Sequence, residues 1–546
     1  MKKKITSIIA VLLVILGLTA CSPKKQPDEI PPVVDYEIVS DIEQDEVVEE
    51  TTSSINFEFL KLENQKENKI YSPLSIKYAL KMLEEGASGE TKAQISKLLG
   101  NQTLTRYASN ENMSLANALF IRDTFSTGIK DTYVDTLKNN FDAEVNYDSF
   151  ENAQNINNWI KEKTFEIIPN ILSDDDVDGL DFALVNALAI DMDWEEKFIM
   201  GRGANTYPST EFLHEKRKLD TDLNWEERKN MGINVFDIDN VSSNIFKNNN
   251  EEIEISGMSI YATINNYDII NELGEDNIKK IVGDEYRKFA KGEAYDSEHV
   301  ESGFLLSEDT SDAGIEKALE EFFPAYLSEL DSNYHKFGSS TDFSIFVDDN
   351  VKIFAKDLKE YNGTTLQYVG IMPTTVELDK FIETLDDTTI NNYISNLKDI
   401  KYENFKEGVV TKIYGYIPKF KFEYDLNLKN DLNLLNVTDV FDSEKADLSN
   451  MTSDKAFISD ALHKANIEFT QDGIKAAAVT IIGGAGGGSP FDYIFDVPVE
   501  DIDLTFDKPY MFLIRDKETN EIWFVGTVYE PLLWENEPEK DAPSGI

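Results

Sequence analysis

The stretch that most constrains this chain is nine residues long: FALVNALAI, from Phe182 to Ile190. It has no charge and almost no polar alternation, so a strand built from it must be covered on both faces and belongs at the centre of a sheet. Asn186 interrupts the run, and a polar side chain held there must find hydrogen-bond partners inside the protein. The segments around it carry helical and strand patterns of their own. SPLSIKYALKML reads as a helix start, with Ser72 as N-cap and Pro73 at the first helical position. A glycine corner at Gly86 and Gly89 leads to a second helix, with Thr91 and Gln94 at capping-box spacing and Gly100 as its stop. LANALFI reads as a buried strand. INNWIKEKTFEIIPNIL reads as an amphipathic helix with Ile156, Trp159, Ile160 and Thr164 along one face.

The amino terminus reads as an address. Lys2, Lys3 and Lys4 precede an uncharged apolar run, Ile5 to Leu16, too short and too near the terminus for an ordinary spanning helix. Leu18-Thr19-Ala20-Cys21 follows, which resembles the lipobox of bacterial lipoproteins. That resemblance implies removal of residues 1–20, a diacylglycerol on the Cys21 sulfur, and an extracytoplasmic protein lipid-anchored to the bacterial membrane. An ordinary secretory peptide with a chance cysteine is the alternative. Cys21 is the only cysteine in the chain, so the mature fold stands on its core without disulfides. Residues 21–54 are rich in proline and acid and poor in apolar periodicity, as in an extended tether. Residues 536–546 read as an acidic tail.

Charge and motifs exclude several functions. Asp and Glu number 102 against 52 Lys and Arg, a net charge of −50. Such a surface repels nucleic acid and anionic lipid, so no nucleic-acid partner is expected. The four histidines, His214, His299, His335 and His463, form no HExxH pattern, and there is no GxSxG elbow. The glycines of GGAGGG, Gly483 to Gly488, lack the lysine and hydroxyl of a phosphate-binding loop. Asp174-Asp175-Asp176 reads as a solvated loop rather than a metal site. The chain is therefore expected to be no enzyme, with no cofactor and no metal.

The segments NKIYSPLSIKYALKMLEEGASGETKAQISKLLG, VELDKFIETL, GYIPKFKFEYDLNLKNDLNLLNVTDVF, ISDALHKANIEFTQDGIKAAAVT and FDKPYMFLIRDKETNEIWFVGTVYEP resemble successive blocks of the serpins, in the family's order. The resemblance implies a mixed α+β fold over residues 55–535, with three β-sheets, about nine helices and an exposed reactive centre loop. It lapses between about Arg202 and Asn350. Residues 215–340 read as an insertion or diverged region, with helices in DNIKKIVGDEYRKFAKGE and GIEKALEEFFPAYLSEL; FDIDNVSSNIFKNNNEEIEI is too polar to place. By the same resemblance Ser72, Ser75, Asn186 and His463 form a shutter, a polar cluster beneath the main sheet that governs its opening.

The resemblance also implies a mechanism. A target serine protease cuts the reactive loop, 471–498, and is held as an acyl-enzyme while the loop's hinge inserts into the main sheet. The hinge is Gln471, Gly473, Ile474, Ala476, Ala477 and Ala478. Ile474 stands where the family prefers threonine or serine, and a bulky β-branched residue there would slow insertion. Counting about seventeen residues from Gln471, about 56 Å of extended chain, ends near Gly487. The cleavage region is then Ala485, Gly486, Gly487 and Gly488, small residues suited to an elastase-like or subtilisin-like protease. Counting back from FDKPY lands about eleven residues later, so Phe491, Tyr493 and Phe495 are the alternative bait, suited to a chymotrypsin-like pocket. No lysine or arginine lies between Lys475 and Lys508, which disfavours trypsin-like targets. The expected protein is a monomeric, surface-anchored protease inhibitor. The alternative is a non-inhibitory binding lipoprotein on the same scaffold, whose loop is cut as a substrate.

Overall fold

The computed structural model describes residues 8–16, 55–100, 104–166, 168, 171–195, 199–203, 236–239, 241–248, 251–290, 309, 311–333, 336, 338, 343–459, 461–471, 473–474 and 495–536. FALVNALAI forms strand β5 (Phe182–Ile190), buried at every position. It lies in an eight-stranded main sheet. From one edge the order is β4 (Glu144–Asp148), β3 (Met113–Arg122), β5, β1 (Ile8–Leu16), β17 (Ala461–Phe469) and β16 (Phe420–Leu426). Two short strands, β6 (Met192–Asp193) and β18 (Gly473–Ile474), continue the sheet at one end. Among the described residues of this sheet, only β3 and β4 pair in parallel.

Because side chains alternate along a strand, β5 serves two cores. Leu184, Leu188 and Ile190 join the large core with helix α2 (Pro73–Gly86). Ala183, Val185, Ala187 and Ala189 pack with Ile156, Trp159 and Ile160 of α5 (Gln154–Lys163). That is the double cover its apolar run demanded.

A seven-stranded sheet runs β14 (Lys398–Asp399), β11 (Phe343–Val347), β12 (Val351–Asp357), β13 (Leu366–Pro373), β20 (Tyr510–Asp516), β21 (Ile522–Val528), β2 (Lys69–Tyr71). A four-stranded sheet runs β19 (Val499–Thr505), β15 (Val410–Pro418), β10 (Glu251–Asn265), β9 (Val241–Asn248). A ribbon of β7 (Ile199–Gly203) and β8 (Phe236–Asp239) accompanies these three sheets. The other helices before β5 are α1 (Ile55–Leu62), α3 (Gly89–Leu99), α4 (Asp131–Phe141) and α6 (Asp174–Val177). The insertion contributes α7 (Ile269–Leu273), α8 (Glu275–Ala290) and α9 (Asp312–Asn333), and α10 (Leu378–Glu383), α11 (Asp387–Ser395) and α12 (Leu428–Leu434) follow. Among the described residues nine α-helices lie outside the insertion, so the mixed α+β architecture agrees with the expectation.

Several local expectations hold and others change. Ser72 caps α2, its Oγ accepting from the Ser75 N–H at 3.0 Å, and Pro73 takes the first turn. Gly100 ends α3 with positive φ. The capping box at Thr91 and Gln94 does not form, because α3 already begins at Gly89. Both side chains instead accept from the backbone of a neighbouring segment, Thr91 Oγ1 from Asp447 N–H and Gln94 Oε1 from Thr438 and Asp439 N–H. The helix of INNWIKEKTFEIIPNIL stops at Lys163; Phe165 and Glu166 adopt positive φ and turn the chain away. The polar segment left unplaced supplies β8, β9 and the start of β10, so part of 215–340 belongs to the four-stranded sheet. The apolar core of the expected leader is β1, inside the main sheet. Cys21, the tether and the tail from 537 lie outside the described residues.

Candidate functional site

The site begins where α2 meets the underside of the main sheet. Ser72, Ser75, Asn186 and His463 come from α2, β5 and β17, and all four are buried. The Ser72 N–H donates to His463 Nε2 at 3.0 Å, and Ser75 Oγ is hydrogen-bonded to Asn186 Oδ1. The Asn186 amide donates to Asn117 Oδ1 at 2.7 Å, and Asn117 in turn donates to the Phe141 carbonyl at 2.8 Å. Asn117, on β3 directly opposite Asn186, is the member that sequence reasoning missed. The available signal was a lone asparagine in LANALFI matching the one in FALVNALAI. Burial pushes His463 down to about 3, so it is neutral at ordinary pH. Because Nε2 accepts, the proton sits on Nδ1, which has no hydrogen-bond partner among the described residues.

Directly above this cluster the main sheet takes up an extra strand. β1 pairs antiparallel with β5 on one side and β17 on the other. Leu12 stands opposite both Asn186 and His463. The hinge occupies the same strand position further up. After β17 the chain turns at Thr470, whose N–H and hydroxyl both donate to the Gly473 carbonyl, at 3.1 and 3.3 Å. The Trp194 indole holds the Thr470 carbonyl at 2.9 Å, and its ring packs edge-on against Phe469. Gly473 then pairs with Asp193, and Ile474 with Met192 and Phe469. A Cβ on Gly473 would collide with the Met192 carbonyl oxygen, so glycine is required there by close approach.

The two registers agree. Continuing β18 without a bulge places Ala476 opposite Ile190, and Thr480 opposite Asn186 and His463. Ile8 and Leu12 of β1 hold those places now. β1 therefore holds the sheet position in line with β18, between β5 and β17.

The remaining expected residues fall as follows. Ile474 already lies in the sheet, fully buried, so in this state it need not cross into it after a cut. Gln471 sits half-buried in the hinge turn. Ala476, Ala477, Ala478, the cleavage region Ala485 to Gly488, and Phe491 and Tyr493 lie outside the described residues. Phe495 is only 6% exposed and packs in an apolar cluster with the insertion helices, where a protease pocket cannot reach it. Tertiary packing thus covers a side chain that the linear count placed in an exposed loop. Among the described residues no cluster of three or more His, Cys, Asp or Glu could hold a metal.

The chain belongs to the serpin family: the family model described as Serpin (serine protease inhibitor) matches residues 53–212 and 340–531. Mouse neuroserpin is 24% identical over 505 residues, covering 88% of this chain and 90% of the relative. Mouse leukocyte elastase inhibitor A is 23% identical over 494 residues, covering 85% and 93%. Among solved structures, the native thermophilic serpin tengpin is similar with TM-score 0.54 and 20% identity, covering 90% of this chain and 96% of that one. Thyroxine-binding globulin in complex with thyroxine is similar with TM-score 0.52 and 16% identity, covering 88% and 100%.

Proposed function

We propose that this protein is a lipid-anchored, extracytoplasmic inhibitor of serine proteases that traps its target by inserting its own cut loop into the main sheet. The observation that carries this reading is the register: the position between β5 and β17 is continuous with the hinge strand β18 and accepts nine residues. Removal of the leader at Cys21 leaves that position to residues 476–484. The protease serine attacks a carbonyl of the bait and forms the acyl ester, releasing the downstream segment as a new amino terminus. The upstream segment then enters the sheet. Alternation puts Ala476, Ala478, Thr480 and Ile482 toward α2, and Ala477, Val479 and Ile481 toward α5. Small side chains lead and larger apolar ones follow, so the first step meets little steric resistance and later ones bury apolar area.

The strand is complete at Gly484, so a bond at Ala485 to Gly488 lies immediately beyond it and would carry the ester to the far end of the sheet. Those small residues favour an elastase-like or subtilisin-like target. The resemblance to leukocyte elastase inhibitor A supports the same class. The test is incubation of the chain beginning at residue 21 with such proteases, followed by denaturing electrophoresis and mass mapping of the cut. A covalent complex with the cut in 485–488 is the expected result. Clean cleavage without complex across a broad panel would sink the inhibitor reading. It would favour a binding protein on the same scaffold, a use that thyroxine-binding globulin illustrates for a protein of similar fold.

A further inference from the structure

The insertion leaves the body of the protein at the end of β10, and the register there lines it up with the reactive loop. Asn265 of β10 stands opposite Val410 of β15, and Val410 stands opposite Val499 of β19. The root of the insertion and the place where the loop rejoins a sheet are thus two strand spacings apart, about 10 Å. Both are tightly held. The Asn266 N–H donates to the Val409 carbonyl at 3.1 Å, and its side-chain amide donates to the carbonyls of Tyr402 and Phe405 at 3.0 and 2.9 Å. The Val410 N–H donates to the Pro498 carbonyl at 2.9 Å.

From that root the helices fold back over the loop. Tyr267, Ile278, Val282, Phe323 and Leu330 form one apolar cluster with Val410 and Phe495, and Val497 packs against it. Asp268 caps α7 through the Asn271 N–H, and α8 is braced to α9 by a forked Arg287–Glu316 pair at 2.6 and 3.0 Å. All three helices lie in residues 213–339, which the family model leaves unmatched. Their apolar faces nevertheless close on a residue of the reactive loop. The unusual length of the loop and the presence of the insertion thus have one explanation.

We infer that the helical insertion is a clamp on the downstream end of the reactive loop, with Phe495 as the side chain it grips, and that it confines the cleavable bait to the residues between Ile474 and Phe495. The inference rests on the loop reading proposed above. Phe495 acts as a positioning residue: it fixes where the exposed bait ends, and it keeps the downstream segment on the insertion when the upstream segment leaves for the main sheet. A protease that selects aromatic residues meets only those upstream of the clamp.

Chymotrypsin serves as the probe, with cuts mapped by mass spectrometry under native conditions. In the wild-type chain, cuts fall upstream and the Phe495–Asp496 bond survives. In Val282→Asp and in Phe323→Asp, cutting after Phe495 accelerates about tenfold or more, since proteolysis tracks the population of the open form. Equal cutting at that bond in wild type and variants overturns the clamp. As a second measurement, with the substitution placed outside the helices, Phe495→Asp raises amide exchange at 278–282 and 323–330 about tenfold while β5 and β17 stay protected, and Phe495→Leu restores protection. Unchanged exchange in those helices overturns the proposal. The two readings fail separately. Absence of any covalent protease complex removes the inhibitor mechanism and leaves these digestion and exchange results standing. A stable complex from a chain whose Phe495 is freely cut removes only the clamp.

Discussion

At the scale of single residues, the buried polar cluster beneath the main sheet is where the energetics are sharpest. Asn186 spends its carbonyl on Ser75 and its amide on Asn117, so removing either partner leaves a buried polar group unsatisfied. Asn117→Ala is expected to cost about 1–3 kcal/mol, read as a lower urea midpoint at unchanged slope. His463 has a further consequence. Burial lowers its pKa to about 3, from 6.5 in an exposed setting. Above the higher value both states are neutral and the contribution is complete. As pH falls below it the unfolded chain binds a proton that the folded chain refuses, so stability is lost between these values. The loss is about 1.4 kcal/mol per pH unit. His463→Gln should therefore flatten the decline in melting temperature between pH 6.5 and 5. An unaltered slope would mean that other groups carry it.

At the scale of elements, α1, β2, β16 and α12 enclose a pair of carboxyl groups. Asp431 of α12 is buried and raised to about 7, first by desolvation and then by the charge of Glu63. Tyr424 of β16 donates to Glu63 Oε2 at 2.8 Å, with Lys69 of β2 over its ring and Tyr71 nearby. The folded chain prefers Asp431 protonated. That contribution is full below the ordinary carboxylate range and is lost as pH rises through about 7. Asp431→Asn should gain melting temperature relative to wild type at pH 8 and little at pH 4; a gain confined to low pH would contradict the sign. The hinge strand supplies a second prediction at this scale. Ala478→Arg puts a long cation on the face directed at α2, which a buried strand rejects. Cleavage by the target should continue while covalent complex falls at least about tenfold, a threshold of about 1.4 kcal/mol in the partition between trapping and release.

For the whole molecule, the question is what fills the central gap. Residues 8–16 occupy the position between β5 and β17, and on the function proposed above their removal frees it. A synthetic peptide spanning Ala476 to Gly484 should raise the melting temperature of the chain beginning at residue 21. The chain that retains residues 1–20 should respond little, and equal responses would place the peptide elsewhere. Completing a central strand supplies two ladders of backbone hydrogen bonds and buries Val479, Ile481 and Ile482, about 1.5–3 kcal/mol for each large side chain.

Much of this was legible in linear order. The double-faced burial of Phe182–Ile190, the Ser72 cap and the helices inside the insertion follow from local patterns, because a strand covered on both faces or a capped amphipathic helix leaves a short-range trace; the grouping of Ser72, Ser75, Asn186 and His463 comes only from the family resemblance. Asn117 was half legible, as a lone polar residue in an apolar strand, but its pairing with Asn186 exists only across the β3–β5 ladder. Three features had no local trace. The side chains of Thr91 and Gln94 fit a cap and were taken by residues 438–447 instead. Phe495 looked like exposed bait until helices some two hundred residues earlier in the chain closed over it. The apolar leader run specified only that it must leave water; the sheet decided where it went, because β5 and β17 present unpaired edges in one register and an apolar strand of nine residues satisfies both. Sequence alone determined which segments are apolar and with what period. Tertiary structure decided which partner each one met, since side-chain hydrogen bonds and burial depend on distances that sequence separation does not encode.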